Sequence, residues 1–212
     1  MISEKMKKLA ENNSVIRAMF EEGNQMAREF GRENVYDFSL GNPSVPAPDS
    51  FKEACVRYLQ EEDPVRLHGY APTTGLPSVK EKVAASLNRR FGMQYGPHHI
   101  FPTAGAAGSL AHALRAVTQP GDEVIVPAIT FAATMAYPLA VGAKLVFADV
   151  DPRTINMDPK DVAKKITPKT KMIVPVHIGG YPVDMDPIIK LAKEHNILVL
   201  EDAAHAFGAM YK

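Results

Sequence analysis

Near the end of the sequence, in VLEDAAHAFGA from Val199 to Ala209, an apolar run delivers two acids, Glu201 and Asp202, and His205 follows three residues later. An acid at the exit of a buried strand stands where an open α/β sheet presents chemistry to a ligand. A carboxylate there suits the nitrogen of a pyridine-type ring, which it holds protonated so that the ring can accept electrons. In a dry site such a charge-assisted hydrogen bond is strong. Asp202 is the candidate for that role; the alternative is that both acids cap the next segment or meet solvent. His205 is placed to touch a ring hydroxyl or to move a proton, against the alternative of an ordinary core or surface histidine.

Upstream, TAGAAGSLAHALRAV, Thr103 to Val117, sets small residues between a short apolar run and a helical pattern. The first N–H groups of such a helix lack intrahelical partners, and with the helix dipole they favour a phosphate. The competing view is a tight turn with small residues for packing. The spacing matches neither a Walker loop, which needs a Lys after its glycines, nor GxGxxG. Phe131, after VPAIT, offers a flat apolar face that could cover a heteroaromatic ring, although a lone Phe after a strand is more often core. His177 closes KMIVPVHI before Gly179 and Gly180. His98, His99 and Asp149 fall in no HExxH, CxxC or comparable ligand spacing, so no metal is expected. A GxSxG nucleophile elbow is also lacking.

The elements that must position these groups are legible in the pattern. The 212 residues are 46% hydrophobic, with 24 Lys plus Arg balanced by 24 Asp plus Glu. Such a chain buries a sizeable core but has no basic excess for nucleic acid or anionic lipid. No signal-peptide core or membrane-length apolar run occurs, and a cytoplasmic location is the expectation. Residues from about 4 to 30 read as an amphipathic helix with Met6, Leu9, Ile16, Met19 and Phe20 along one stripe and Gly31 as its cap; it could serve as an arm on a partner subunit. VYDFSLGNPSVPAP is extended and broken by prolines. Helices are predicted at about 49 to 61 and 77 to 91, the first with Cys55 as core filler beside Phe51, Val56 and Leu59.

From His98 onward, HHIFPT, EVIVPA, AKLVFADV, KMIVPVHI and ILVLEDA alternate with helical patterns around 107 to 117, 132 to 141, 158 to 165 and 185 to 195. That rhythm predicts an α/β fold: a mostly parallel sheet with helices on both faces. Thr103-Ala104-Gly105, Pro127, Asp149, His177 and Asp202 end these runs and should converge on one crevice beyond the strands' carboxyl ends. The expected division is an N-terminal helix and extended arm, 1–48, and a larger domain, 49–212.

Two stretches also carry a resemblance to known families. Up to about Pro127, DFSLGNPSVPAP, LHGYAPTTGLPSVKEKVAASLNRRFG and TAGAAGSLAHALRAVTQPGDEVIV resemble class I aminotransferases in order and spacing. From there to Lys212, VPAITFAATMAYPLAVGAKLVFADVDPRTINMD, ITPKTKMIVPVHIGGYPVDMD and VLEDAAHAFGAMYK resemble DegT-type sugar aminotransferases. Both are fold-type I enzymes of pyridoxal 5'-phosphate, so the resemblance implies an incomplete large domain of that fold.

The resemblance implies that Ala106 and Ala107 offer N–H groups to the cofactor phosphate and that Phe131 stacks on its ring. It puts Asp202 on the pyridine nitrogen and His205 beside the ring hydroxyl. Gly41 and Asn42 match backbone near the substrate carboxylate, and Tyr70 matches a tyrosine that reaches the phosphate of a partner subunit, which implies a homodimer with shared sites. PVHIGGYPVDMD replaces the NPxNPTG-like segment of class I enzymes. The lysine that bonds the cofactor lies on a later strand in both families, and the substrate-binding arginine lies in a C-terminal small domain. Lys212 stands too near Asp202 to be that lysine. The expectation is therefore a truncated aminotransferase chain, inactive alone, whose complete relatives move an amino group from a small-molecule donor to a keto acid or keto-sugar. The alternatives are a non-catalytic module that holds pyridoxal phosphate or another phosphorylated ligand, or a recombined chain without activity.

Overall fold

The computed structural model describes residues 2–11, 15–38 and 45–211, which fall into two compact units, Met1–Tyr70 and Ala71–Lys212. In the first, α1 spans Glu4–Glu11, α2 Val15–Phe30, α3 Asp49–Glu61 and α4 Pro64–His68. The predicted helix over about 4 to 30 is thus present as α1 and α2; residues 12–14 and the side chains of Leu9 and Ile16 lie outside the description. α2 stops at Phe30 because Gly31 takes φ +88°, a value that suits glycine. α4 begins on Asp63, whose side chain accepts the N–H groups of Val65 and Arg66, with Pro64 in the first turn.

No described residue of this unit is buried, and Cys55 is exposed, together with Phe51, Val56 and Leu59. The reading of Cys55 as core filler is therefore corrected. Helical spacing puts these side chains on one stripe, but burial needs a second surface, and within this unit the described residues supply none.

The second unit opens with α5, Pro77–Phe91. HHIFPT is not a strand: Pro97–His99 form a short 3₁₀ turn, in which the Gly96 N–H donates to His99 Nδ1 at 2.9 Å. Pro97 and Pro102 withdraw two ladder donors from this stretch, which disfavours a strand. Next come α6, Gly105–Val117; β1, Glu123–Pro127; α7, Ala132–Ala140; β2, Lys144–Ala148; α8, Pro159–Lys165; β3, Thr170–Ile173; α9, Met185–His195; and β4, Leu198–Val199.

The four strands are parallel in the order β2-β1-β3-β4. Alternate residues feed two cores. Val124, Val126, Met172 and Val174 pack with Leu110 and Leu114 of α6 and Ala133 of α7. Ile125 and Ile173 pack on the other face with Val162 of α8 and Ile188 of α9. Both faces are covered, so the strands read as continuous apolar runs instead of alternating ones. Each fully buried Val, Ile or Leu contributes roughly 1.5–3 kcal/mol of transfer free energy. Strand order reverses beside β1: the chain leaves β1 for β2 on one side and returns to β3 on the other. The crevice beyond the carboxyl ends of β1 and β3 is where an open sheet of this kind binds its ligand.

Candidate active site

The backbone ladder delivers Asp202 to that crevice. Past β3 and β4, Leu200 N–H donates to Ile173 C=O at 3.0 Å, Asp202 N–H to Pro175 C=O at 2.9 Å, and His177 N–H to Asp202 C=O at 3.1 Å. Val176 and Asp202 form a parallel bridge that prolongs the pairing. Side chains alternate across it, so His177 and Glu201 share one face while Asp202 takes the other. Asp202 is buried at 7% exposure. Its Oδ2 accepts the Thr134 hydroxyl at 3.2 Å, its Oδ1 accepts the Ala204 N–H at 3.2 Å, and the Thr130 hydroxyl donates in turn to Thr134 Oγ1 at 3.0 Å. Thr134 itself is fully buried in the first turn of α7.

Phe131 is the N-cap residue of that same helix, and its ring is 70% exposed. It is not core; an apolar plane lies open at the strand end, one helical turn from the residue that touches Asp202.

α6 approaches the same region: Ala107 packs against the core cluster that holds Ala133 and Val126. Gly105 takes φ +76° with nothing within 4 Å of where a Cβ would stand, and the N-cap residue, Ala104, supplies no side-chain cap. No side-chain cap at Ala104 therefore competes for the N–H groups of the opening turn that carries Ala106 and Ala107. The Thr103 hydroxyl is engaged with Gly105 C=O at 3.0 Å and with Ser109 Oγ at 2.6 Å, which fixes the turn.

On the opposite face, buried His177 accepts the Val183 N–H on Nδ1 at 3.0 Å and meets Glu201 Oε2 through Nε2 at 3.0 Å. A nitrogen that accepts carries no proton, so neutral His177 is protonated on Nε2 and donates to Glu201. This hydrogen bond holds the Glu201 carboxyl below the ordinary glutamate range, against the opposing effect of partial burial. His205 is exposed and its Nδ1 accepts the Gly179 N–H at 3.3 Å. Gly180 packs so closely beneath it that a Cβ would lie 2.9 Å from the His205 carbonyl oxygen, at φ +83°.

The loop bearing Gly179 and Gly180 is held from below by Asn156, 3% exposed. Its Oδ1 accepts the Ile178 N–H at 3.1 Å and its Nδ2 donates to Tyr181 C=O at 2.8 Å.

The structure therefore brings together Asp202, Phe131, His205 and the α6 turn of Ala106 and Ala107 at one end of the sheet. Tyr70 ends the other unit, fully exposed, and Gly41 and Asn42 lie outside the described residues. Thr134 and Asn156 are contributions that sequence reading missed: one is a hydroxyl in an otherwise apolar helix, the other an amide in a loop, and neither spacing announces a partner. Among the described residues no cluster of His, Cys, Asp or Glu is fit to hold a metal, and no helix is long and apolar enough to cross a membrane.

A doubly covered parallel sheet with a buried acid, an open aromatic ring and an uncapped helix turn at one strand end defines the class: the α/β fold of the aminotransferases, which the solved structures share. An aminotransferase from Eubacterium rectale superposes with a TM-score of 0.79 at 30% identity, over 95% of this chain and 53% of that one. Aspartate aminotransferase from Thermus thermophilus, solved with maleate, gives 0.71 at 25% identity, over 95% and 53%.

Residues 78–212 match the DegT/DnrJ/EryC1/StrS aminotransferase family, and the chain belongs to it. That match begins in α5, so it takes in the α6 turn as well as the strands. GDP-perosamine synthase of Caulobacter vibrioides is 42% identical over 141 residues, 66% of this chain and 38% of that protein. 3-Amino-5-hydroxybenzoate synthase of Amycolatopsis mediterranei is 40% identical over 128 residues, 60% and 33%. The chain thus spans about a third of the length of these curated relatives. Aminotransferases of this family depend on pyridoxal phosphate.

Proposed function

We propose that this chain forms the cofactor-holding part of a pyridoxal-phosphate-dependent aminotransferase, which moves an amino group between a small-molecule donor and a keto acid or keto-sugar. The observation that carries the reading is Asp202: a buried carboxylate at the crevice, steadied by the Thr134 hydroxyl and the Ala204 N–H. The residues present fit the cofactor. An anion at the α6 terminus would meet the N–H groups of Ala106 and Ala107 in the space left open at Gly105. Phe131 would cover the ring, Asp202 would keep its nitrogen protonated, and His205 would stand by its hydroxyl. When bound, the cofactor supplies the electron sink for bond breaking at the substrate's α-carbon. Gly41 and Asn42 are assigned to the substrate carboxylate and Tyr70 to the phosphate of a partner subunit, in a cytoplasmic homodimer.

Thermal melts of the full chain with and without pyridoxal phosphate test this assignment. A ligand at a hundred times its Kd stabilises by about 2.7 kcal/mol, so the midpoint should rise by several degrees. Asp202→Asn, which keeps the shape and removes the charge, should lose most of that rise. No shift with the wild-type chain, or an equal shift with Asp202→Asn, refutes the assignment.

A further inference from the structure

Beyond the residues assigned to the cofactor, buried His177 holds both the Asp202 carbonyl and the side chain of the residue before it. Its own N–H donates to Asp202 C=O at 3.1 Å, and its ring donates from Nε2 to Glu201, the residue before Asp202, at 3.0 Å. On its far side Nδ1 takes the Val183 N–H at 3.0 Å. β4 proper ends at Val199, and past it the pairing reaches Asp202 through single backbone bonds: Leu200 N–H to Ile173 C=O, Asp202 N–H to Pro175 C=O and the Val176–Asp202 bridge. To this short run of backbone bonds the His177 ring adds a side-chain tie between the two segments.

From this arrangement we infer that His177 is a positioning residue: as the neutral Nε2–H tautomer it ties Glu201 to the loop at Val183 and thereby holds Asp202 aimed at the Thr134 face. The two arms differ in kind. The Nδ1 arm fastens the ring to its own loop and fixes which nitrogen carries the proton. The Nε2 arm crosses to the neighbouring segment and reinforces the backbone bonds that set the register of the acid. Glu201, half exposed, would otherwise be free to swing into solvent, and nothing else on its side chain anchors the turn. The catalytic meaning of this role rests on the reading of Asp202 as the partner of the ring nitrogen; the positioning itself does not.

The two arms separate by substitution. Gln places its amide nitrogen near Nε2 and retains the donor to Glu201; Asn places its amide oxygen near Nδ1 and retains only the acceptor for Val183. Nitrogen-detected NMR on the full wild-type chain should show His177 protonated on Nε2 and bare on Nδ1. In amide hydrogen exchange, His177→Gln should leave Asp202 within about threefold of wild type, while His177→Asn and His177→Leu speed it about tenfold, with Ile125 and Val174 as unchanged controls. A proton on Nδ1, or equal exchange at Asp202 in the Gln and Asn variants, overturns the inference.

Pyridoxal phosphate affinity should follow the same order across the variants. If wild type fails to bind the cofactor while the tautomer and exchange pattern hold, the cofactor reading falls and the positioning role stands. If wild type binds and the exchange pattern is absent, the reverse is true.

Discussion

Glu123 and Asp202 are two buried carboxylates at opposite ends of the parallel sheet, and their partners set them to different work. Glu123 opens β1, where its oxygens accept the Thr167 hydroxyl at 2.6 Å and the Lys144 ammonium at 2.9 Å. The Thr167 hydrogen bond, then the Lys144 one, holds its carboxyl below the ordinary range despite burial. This end faces away from the crevice, so the pair is structural. A carboxyl whose pKa is lowered by folding contributes stability that is present above its unfolded value and is lost as pH falls through the folded one. Glu123→Gln should therefore cost ~1–3 kcal/mol near neutrality, and its midpoint should fall less steeply than wild type between about pH 5 and 3. Melts at a series of pH values check this; parallel acid limbs would refute it. Asp202, by contrast, has hydroxyl and amide partners and, among the described residues, no cation in an ion pair with it, which leaves its carboxylate available to a cationic ring nitrogen.

At the scale of elements, the loop between β3 and α9 is the piece on which the site depends. Asn156 holds it at Ile178 and Tyr181, His177 holds it at Val183, and the backbone of Gly180 lies against the His205 carbonyl. The residue before the clamp, Ile155, sits at φ +61°, a left-handed conformation unusual for a β-branched side chain. That strain, on the order of 1–3 kcal/mol, persists only because the surroundings fix it; the Ile155 N–H donates to Asp151 C=O at 2.7 Å and the Asp151 N–H to Asn156 C=O at 2.9 Å, which close the turn around it. Gly180→Ala should destabilise the chain by at least about 1–2 kcal/mol, since it combines a positive φ with a Cβ against backbone that has no rotamer to yield. Urea unfolding measures the loss, and an unchanged midpoint would show that the Gly180 approach to His205 is looser than drawn.

For the molecule as a whole, the two units differ in what they bury. The unit Ala71–Lys212 carries both core clusters, whereas the unit Met1–Tyr70 leaves the stripe of α3 open among the described residues. Cys55 reports on that directly. Its thiol in the native chain should react with a disulfide reagent within about tenfold of the rate in the denatured chain, as an exposed side chain does. A rate slower by orders of magnitude would mean that this face is covered in solution.

Much of the fold was legible in the sequence for local reasons. The 3.6-residue spacing and flanking Pro and Gly located α3 and α5 at the bounds observed, and four apolar runs became the four strands. HHIFPT misled because apolar character was read without the N–H groups missing at Pro102 within it and Pro97 just before it. Cys55 misled because a helical stripe marks an apolar face without marking what lies against it.

The candidate site divides along the same line. The sequence by itself determined the chemical groups and their order along the chain: small residues opening α6, an aromatic ring before α7, acids after β4. Only the tertiary structure decided that Asp202 would turn toward Thr134, 68 residues away, and Glu201 toward His177, 24 residues away. The reason is that the alternation of a strand is local, while the partner each face meets is set by sheet order and register. These bring together segments whose sequence separation carries no trace of the contact.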